Sequence, residues 1–154
     1  MKLIKLCLLA VLPALTAYSL ASYANSPVGV WQTIDDVSGK PKAIVEIQQG
    51  ADNSFMGKIL KVFPQPGKSP HELCAECKGD KHNQPIVGMS IISGLKAVKQ
   101  NQWGKGEILD PANGKTYSCH VRMTDSGDKL NVRGYIGMPL LGRTQTWVRV
   151  KEVG

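Results

Sequence analysis

The chain is 154 residues long, with 19 lysines and arginines against 12 aspartates and glutamates and a formal charge of +7. The positive residues are scattered rather than blocked and are not interleaved with an aromatic row, which excludes a nucleic-acid groove as the expected role. A solvated surface fits better, with weak affinity for anionic lipid or polymer as a side effect.

At the N-terminus, Lys2 and Lys5 precede an apolar run from Leu6 to Leu20, and Ser22-Tyr23-Ala24 offers small residues at the positions a signal peptidase reads. This predicts a signal peptide over residues 1–24, cleaved after Ala24, with residues 25–154 as one domain in the periplasm or outside the cell. Pro13, Thr16 and Ser19 interrupt the run, and it falls short of the roughly 20 apolar residues a membrane span needs. No transmembrane span is therefore expected in the mature protein. Cys7 lies inside the run and not after a small-residue box, which argues against a lipid anchor. Loss of Lys2 and Lys5 lowers the formal charge to +5.

Beyond the leader, glycine and proline recur at short intervals, a pattern of strands and turns rather than helices. Eight strands are predicted: Val28 to Asp35, Ala43 to Gln49, Ser54 to Val62, Ile86 to Ile92, Trp103 to Leu109, Thr116 to Met123, Lys129 to Ile136 and Thr144 to Lys151. Alternation is clearest in the sixth, where Tyr117, Cys119, Val121 and Met123 oppose Thr116, Ser118, His120 and Arg122. Val45 and Ile47 oppose Glu46 and Gln48 in the same way, and Leu130, Val132 and Ile136 oppose Asn131, Arg133 and Tyr135. The turns suit hairpins, above all Asp110-Pro111-Ala112-Asn113-Gly114-Lys115, where Asn-Gly supplies positive φ cheaply. No helical period is long enough for a βαβ crossover. The fold class is thus all-β, an eight-stranded antiparallel up-and-down barrel that removes its edges by closing on itself.

One connection breaks the short-loop pattern. Phe63 to Pro85, between the third and fourth strands, carries Pro64, Pro66, Pro70 and Pro85 and the motif Cys74-Ala75-Glu76-Cys77. In an oxidising compartment two thiols this close pair, and the small loop they close pins the segment more than it stabilises the fold. Thiol–disulfide exchange is a second reading, without the helix N-terminus that lowers a thiol pKa. Zinc held by His71, Cys74, Cys77 and His82 is a third, with compressed spacing. Lys78 after the second cysteine rules out covalent haem. Cys119 lies on an apolar face and reads as a buried small hydrophobe. Neither a metal nor a cofactor is expected.

Gly29-Val30-Trp31 looks like the Gly-x-Trp of lipocalins and related calycins, and Arg143 or Arg149 on the last strand offers the arginine that packs over such a tryptophan and closes the barrel. Gly29 to Asp36, Gly39-Lys40-Pro41-Lys42, Gly57-Lys58-Ile59, Cys74-x-x-Cys77, Pro85 to Met89 and Gly106-x-Ile108-x-Asp110-Pro111 extend the pattern. Arg133-Gly134-Tyr135 and Gly142 to Trp147 complete it. In this order the motifs resemble a bacterial exported family catalogued as domain of unknown function twenty-one forty-seven. That resemblance implies a lipocalin-like barrel and no established reaction.

A barrel of this size can hold a small, partly apolar ligand, with Val45, Ile47, Tyr117, Val121, Leu130, Val132 and Ile136 as wall residues. Plain core is the alternative at each. Asp35, Asp36, Lys40, Arg133, Tyr135, Arg143 and Gln145 cluster at strand ends, either as a bracing network or as a site for an anionic or sugar-like head group. Asp35 and Asp36 are adjacent and cannot converge as a catalytic pair, and no nucleophile elbow or histidine triad is present, so no enzyme is expected. A solid barrel contacting other envelope proteins through an apolar patch around Pro139-Leu140-Leu141 is the competing reading.

Overall fold

The computed structural model describes residues 26–69 and 71–151; the expected leader lies outside them. Eight strands form: β1 (Gly29–Ile34), β2 (Pro41–Gln49), β3 (Phe55–Val62), β4 (Ser90–Lys99), β5 (Gln102–Asp110), β6 (Lys115–Met123), β7 (Lys129–Tyr135) and β8 (Arg143–Arg149). Each pairs antiparallel with its successor, and β8 returns to β1 through Trp31↔Arg149, Gln32↔Val148 and Thr33↔Trp147. The sheet is a closed barrel, as the alternation and turn chemistry predict. No helix among the described residues is long and apolar enough to cross a membrane.

Seven strand boundaries fall within two residues of the sequence reading; β4 does not. It was expected over Ile86 to Ile92 and runs instead from Ser90 to Lys99. Residues 86–89 stay in the long loop, with the Ile86 N–H donating to Glu72 O and the Gly88 N–H to Ile59 O. The β3–β4 register then slips near Gly94 (φ +64°), so Ile91, Ile92 and Leu95 are all buried and the two-residue period is lost. Lys96 and Lys99 face solvent on a strand whose polar end reads as loop.

The barrel has one sealed end. Trp31 is fully buried there, and its indole N–H donates to Pro27 O at 2.8 Å. The Arg149 guanidinium carbon lies 4.1 Å from the Trp31 ring centroid, a cation–π contact of about 1–2 kcal/mol in a partly desolvated site. Its nitrogens donate to three carbonyls: Gly127 O at 2.8 Å, Val28 O at 3.0 Å and Ser26 O at 3.2 Å. Burial lowers the Arg149 pKa, but a guanidinium stays charged under all ordinary conditions. One side chain therefore ties the segment before β1, the β6–β7 turn and β8 together. Arg143, the other candidate for this contact, sits at the opposite end of β8 and does not touch Trp31.

Gly29 makes room for the seal. Its φ is +138°, and a Cβ there would lie 2.6 Å from Arg149 Nη1. Gly39, at φ +69°, has nothing within 4 Å. Gly29→Ala should lower unfolding free energy by about 2–3 kcal/mol, against about 1 kcal/mol for Gly39→Ala. Urea titration of both variants checks this; equal losses would show that Arg149 does not read the missing side chain.

Candidate ligand-binding cavity

Above the seal the barrel is hollow. A cavity of about 750 Å³ opens toward the end formed by the β1–β2 turn, the long loop, the β5–β6 turn and the β7–β8 connection. Its inner wall is mostly apolar, built by Ala43 and Val45 of β2, Ile59 of β3, Ile91 of β4, Ile108 of β5 and Val132 of β7, with Thr33 of β1 and Gln145 of β8 as neutral polar positions. Trp147 is one inward position above Arg149 and also lines it. The volume lies in the roughly 300–1,000 Å³ range of small-molecule sites.

Of the seven wall residues named from sequence, Val45, Tyr117, Val132 and Ile136 line the cavity. Ile47, Val121 and Leu130 do not, and that reading is corrected. Register places Ile47 opposite Gly29, Val121 opposite Trp103 and Leu130 opposite Met123, in the sealed half, where all three are fully buried core. Ala43, Ile59, Ile91, Ile108 and Trp147 were missed. Alternation from Val45 would have found Ala43, and alternation from Arg149 would have found Trp147.

The long loop covers part of the mouth. Cys74 and Cys77 are joined as a disulfide and both are buried. This consumes the thiols that the zinc reading needed. The exchange reading loses its setting too, because the bridge lies in turn structure, followed only by a 3-10 turn at Gly79–Lys81, and not at a helix N-terminus. The loop presses on the β5–β6 hairpin: Cys74 Sγ lies 3.4 Å from Pro111 O. Gly114 (φ +67°) comes so close that a Cβ would sit 1.8 Å from Glu76 O. Glycine is required there by both torsion and space.

The polar residues expected to cluster separate into distinct roles at the mouth end. Asp35 Oδ1 accepts from the Ser38 N–H at 2.7 Å and the Ser38 hydroxyl at 2.8 Å, and these bonds hold its carboxyl below the usual range. Asp36 accepts from Nε and Nη2 of Arg143, joining the β1–β2 turn to β8 in the only ion pair among the described residues. That pairing lowers the Asp36 pKa and raises that of Arg143. Arg133 faces outward and donates to Pro139 O at 2.7 Å, Leu140 O at 3.1 Å and Thr144 Oγ1 at 2.7 Å, bracing the β7–β8 connection. Tyr135, Arg143 and Gln145 line the cavity, and Gln145 Oε1 accepts from the Trp147 indole N–H at 3.3 Å. The Lys40 backbone carbonyl accepts from the Asp35 N–H, while its side chain is exposed.

The β7–β8 connection leaves Leu140 and Leu141 82% and 77% exposed, so the anticipated apolar patch exists. The filled interior that was to accompany it does not, since Leu141 borders the cavity. Cys119 is buried, and burial pushes its thiol up to about 12, which keeps it protonated.

Sealed floor, hollow upper half and next-neighbour connectivity define a lipocalin-like barrel. Residues 29–149 match the family described as "Uncharacterized protein conserved in bacteria (DUF2147)", and the chain belongs to that family. Among solved structures it is similar to a protein titled "Protein HP1028 from the human pathogen Helicobacter pylori belongs to the lipocalin family". The two share 21% identity and a TM-score of 0.68, over 81% of this chain and 83% of the other. None of the curated proteins matches the chain.

Because Asp36 is more acidic folded than its ordinary value of 3.8, its pairing stabilises above that pH and is lost as pH falls through the lowered folded pKa. Asp36→Asn should destabilise by about 0.5 kcal/mol at neutral pH, and the gap to wild type in melting experiments should close below pH 3.8. Cys119 should resist a thiol reagent in the native protein and react fully in denaturant; fast native labelling would contradict its burial.

Proposed function

We propose that this protein is an exported, non-enzymatic binder or carrier of a small, partly apolar molecule held in the barrel. The observation that supports it best is the cavity itself: a mostly apolar wall rising from a sealed floor, with charged groups confined to the mouth. The floor seal matters because it leaves one way in. The lipocalin-family neighbour supports the reading through shared fold. Export draws on the leader pattern of residues 1–24 and on the Cys74–Cys77 disulfide, which persists in oxidising compartments such as the periplasm.

The test uses a neutral apolar fluorophore, N-phenyl-1-naphthylamine. It should bind saturably and quench tryptophan emission, and Trp147→Phe should remove most of that quenching, since Trp31 and Trp103 do not line the cavity. Ala43→Phe, which fills the upper wall, should weaken the probe at least about tenfold, or about 1.4 kcal/mol, while the protein still melts cooperatively. Unsaturable binding, or binding unaffected by Ala43→Phe, would exclude the cavity as the site.

A further inference from the structure

A second cleft adjoins the cavity. It has a volume of about 510 Å³ and runs between the disulfide loop and the β5–β6 hairpin. Glu76, Leu109, Asn113 and Ile136 border both spaces, so the cleft continues outward from the cavity mouth. Ile136 is 65% exposed, an apolar side chain held where the two meet.

The two spaces differ in charge. At the cavity mouth Lys42, Lys68 and Arg143 are matched by Glu72, Glu76 and Asp110, and Arg143 is already engaged by Asp36. In the cleft Lys78, Lys81 and Lys115 face a single carboxylate, Glu76. Asp80 lies between Lys78 and Lys81 in sequence but does not line the cleft. Lys81 Nζ donates to Ser90 O at 3.0 Å and keeps further protons to offer. Lys78 and Lys115 make no ion pair among the described residues. The Thr116 hydroxyl adds a neutral polar group to the same wall. A surplus of cations beside a carboxylate-poor wall attracts an anion, and the continuity with an apolar cavity ties that anion to a tail.

We infer that the ligand is an anionic amphiphile, its apolar tail in the barrel and its carboxylate or phosphate head in the cleft of Lys78, Lys81 and Lys115. The tail passes Ile136 on its way between the two spaces. This rests on the cavity reading above and adds to it the class of head group and the place where the head lies. Each lysine contact to the head is a charge-assisted hydrogen bond, screened by salt because the cleft is open.

The experiment displaces N-phenyl-1-naphthylamine from the full protein with four amphiphiles of equal chain length: dodecanoate, dodecyl phosphate, dodecanol and dodecylamine. At low salt at least one anion should displace the probe at about tenfold lower concentration than dodecanol, with dodecylamine weakest, and the advantage should shrink near ~0.5 M salt. The larger of the two anionic gains identifies carboxylate or phosphate as the head. The double variant Lys78→Gln/Lys115→Gln should abolish the anionic advantage and leave dodecanol unchanged, which also shows that the variant is folded. Lys42→Gln/Lys68→Gln should leave the advantage in place. Equal displacement by dodecanol and both anions would overturn the inference while the cavity reading stands. So would loss of the advantage in the Lys42/Lys68 variant instead. Failure of all four amphiphiles to displace the probe would remove the cavity reading, and the inference with it.

Discussion

The guanidinium of Arg149 over the indole of Trp31 is the contact on which the remaining architecture depends. A barrel closes only if its first and last strands pair, and the β1–β8 ladder has just three residue pairs, as few as the irregular β3–β4 ladder. The arginine extends that seam by gathering carbonyls from the segment before β1 and from the β6–β7 turn. A partly buried guanidinium would be costly alone, but here its donors meet carbonyl oxygens and its face meets an aromatic ring. Gly29 belongs to the same device, because any side chain there would occupy the space of Arg149. The sealed floor in turn makes the upper half a container with one opening.

The opening is built differently. No single contact governs it; a disulfide-bonded loop, an Asp36–Arg143 pair and the Arg133 brace each restrain one part of the rim. The interior toward this end is mostly apolar, with Thr33 and Gln145 as neutral polar positions, while the rim carries both signs of charge. An interior that cannot solvate charge, reached through a rim that can, selects for molecules of two-part chemistry. The cleft beside the rim, with its three lysines, biases that selection toward negative charge.

Most of the barrel was legible in the sequence because its signals are local. Alternation assigned the inward faces of β2, β6 and β7, and Asn-Gly at 113–114 marked the β5–β6 hairpin. The β4 strand was misplaced because its cue is tertiary: the register slip near Gly94 breaks the period, and residues 86–89 are held by long-range backbone bonds. The cavity was only half readable for a related reason. Alternation says which side chains point inward, but not how far up the barrel the core stops. Ile47, Val121 and Leu130 point inward just as Val45 and Val132 do, and only register against Gly29, Trp103 and Met123 assigns them to the filled half. The choice between Arg143 and Arg149 was of the same kind, since both lie on one face of β8 and only the pairing of Arg149 with Trp31 separates them. The lysine cleft was invisible, because Lys78 and Lys115 are far apart in sequence and meet only through the packing of Glu76 on Gly114.

The seal also fixes where the polypeptide leaves the barrel. Ser26 and Val28 hand their carbonyls to Arg149, and the Val150 N–H donates to Val30 O, so both ends of the described chain emerge beside the floor. A tether attached at either terminus, whether a surface linker or a fused partner, therefore holds the molecule by its base and leaves the rim pointing away, unobstructed.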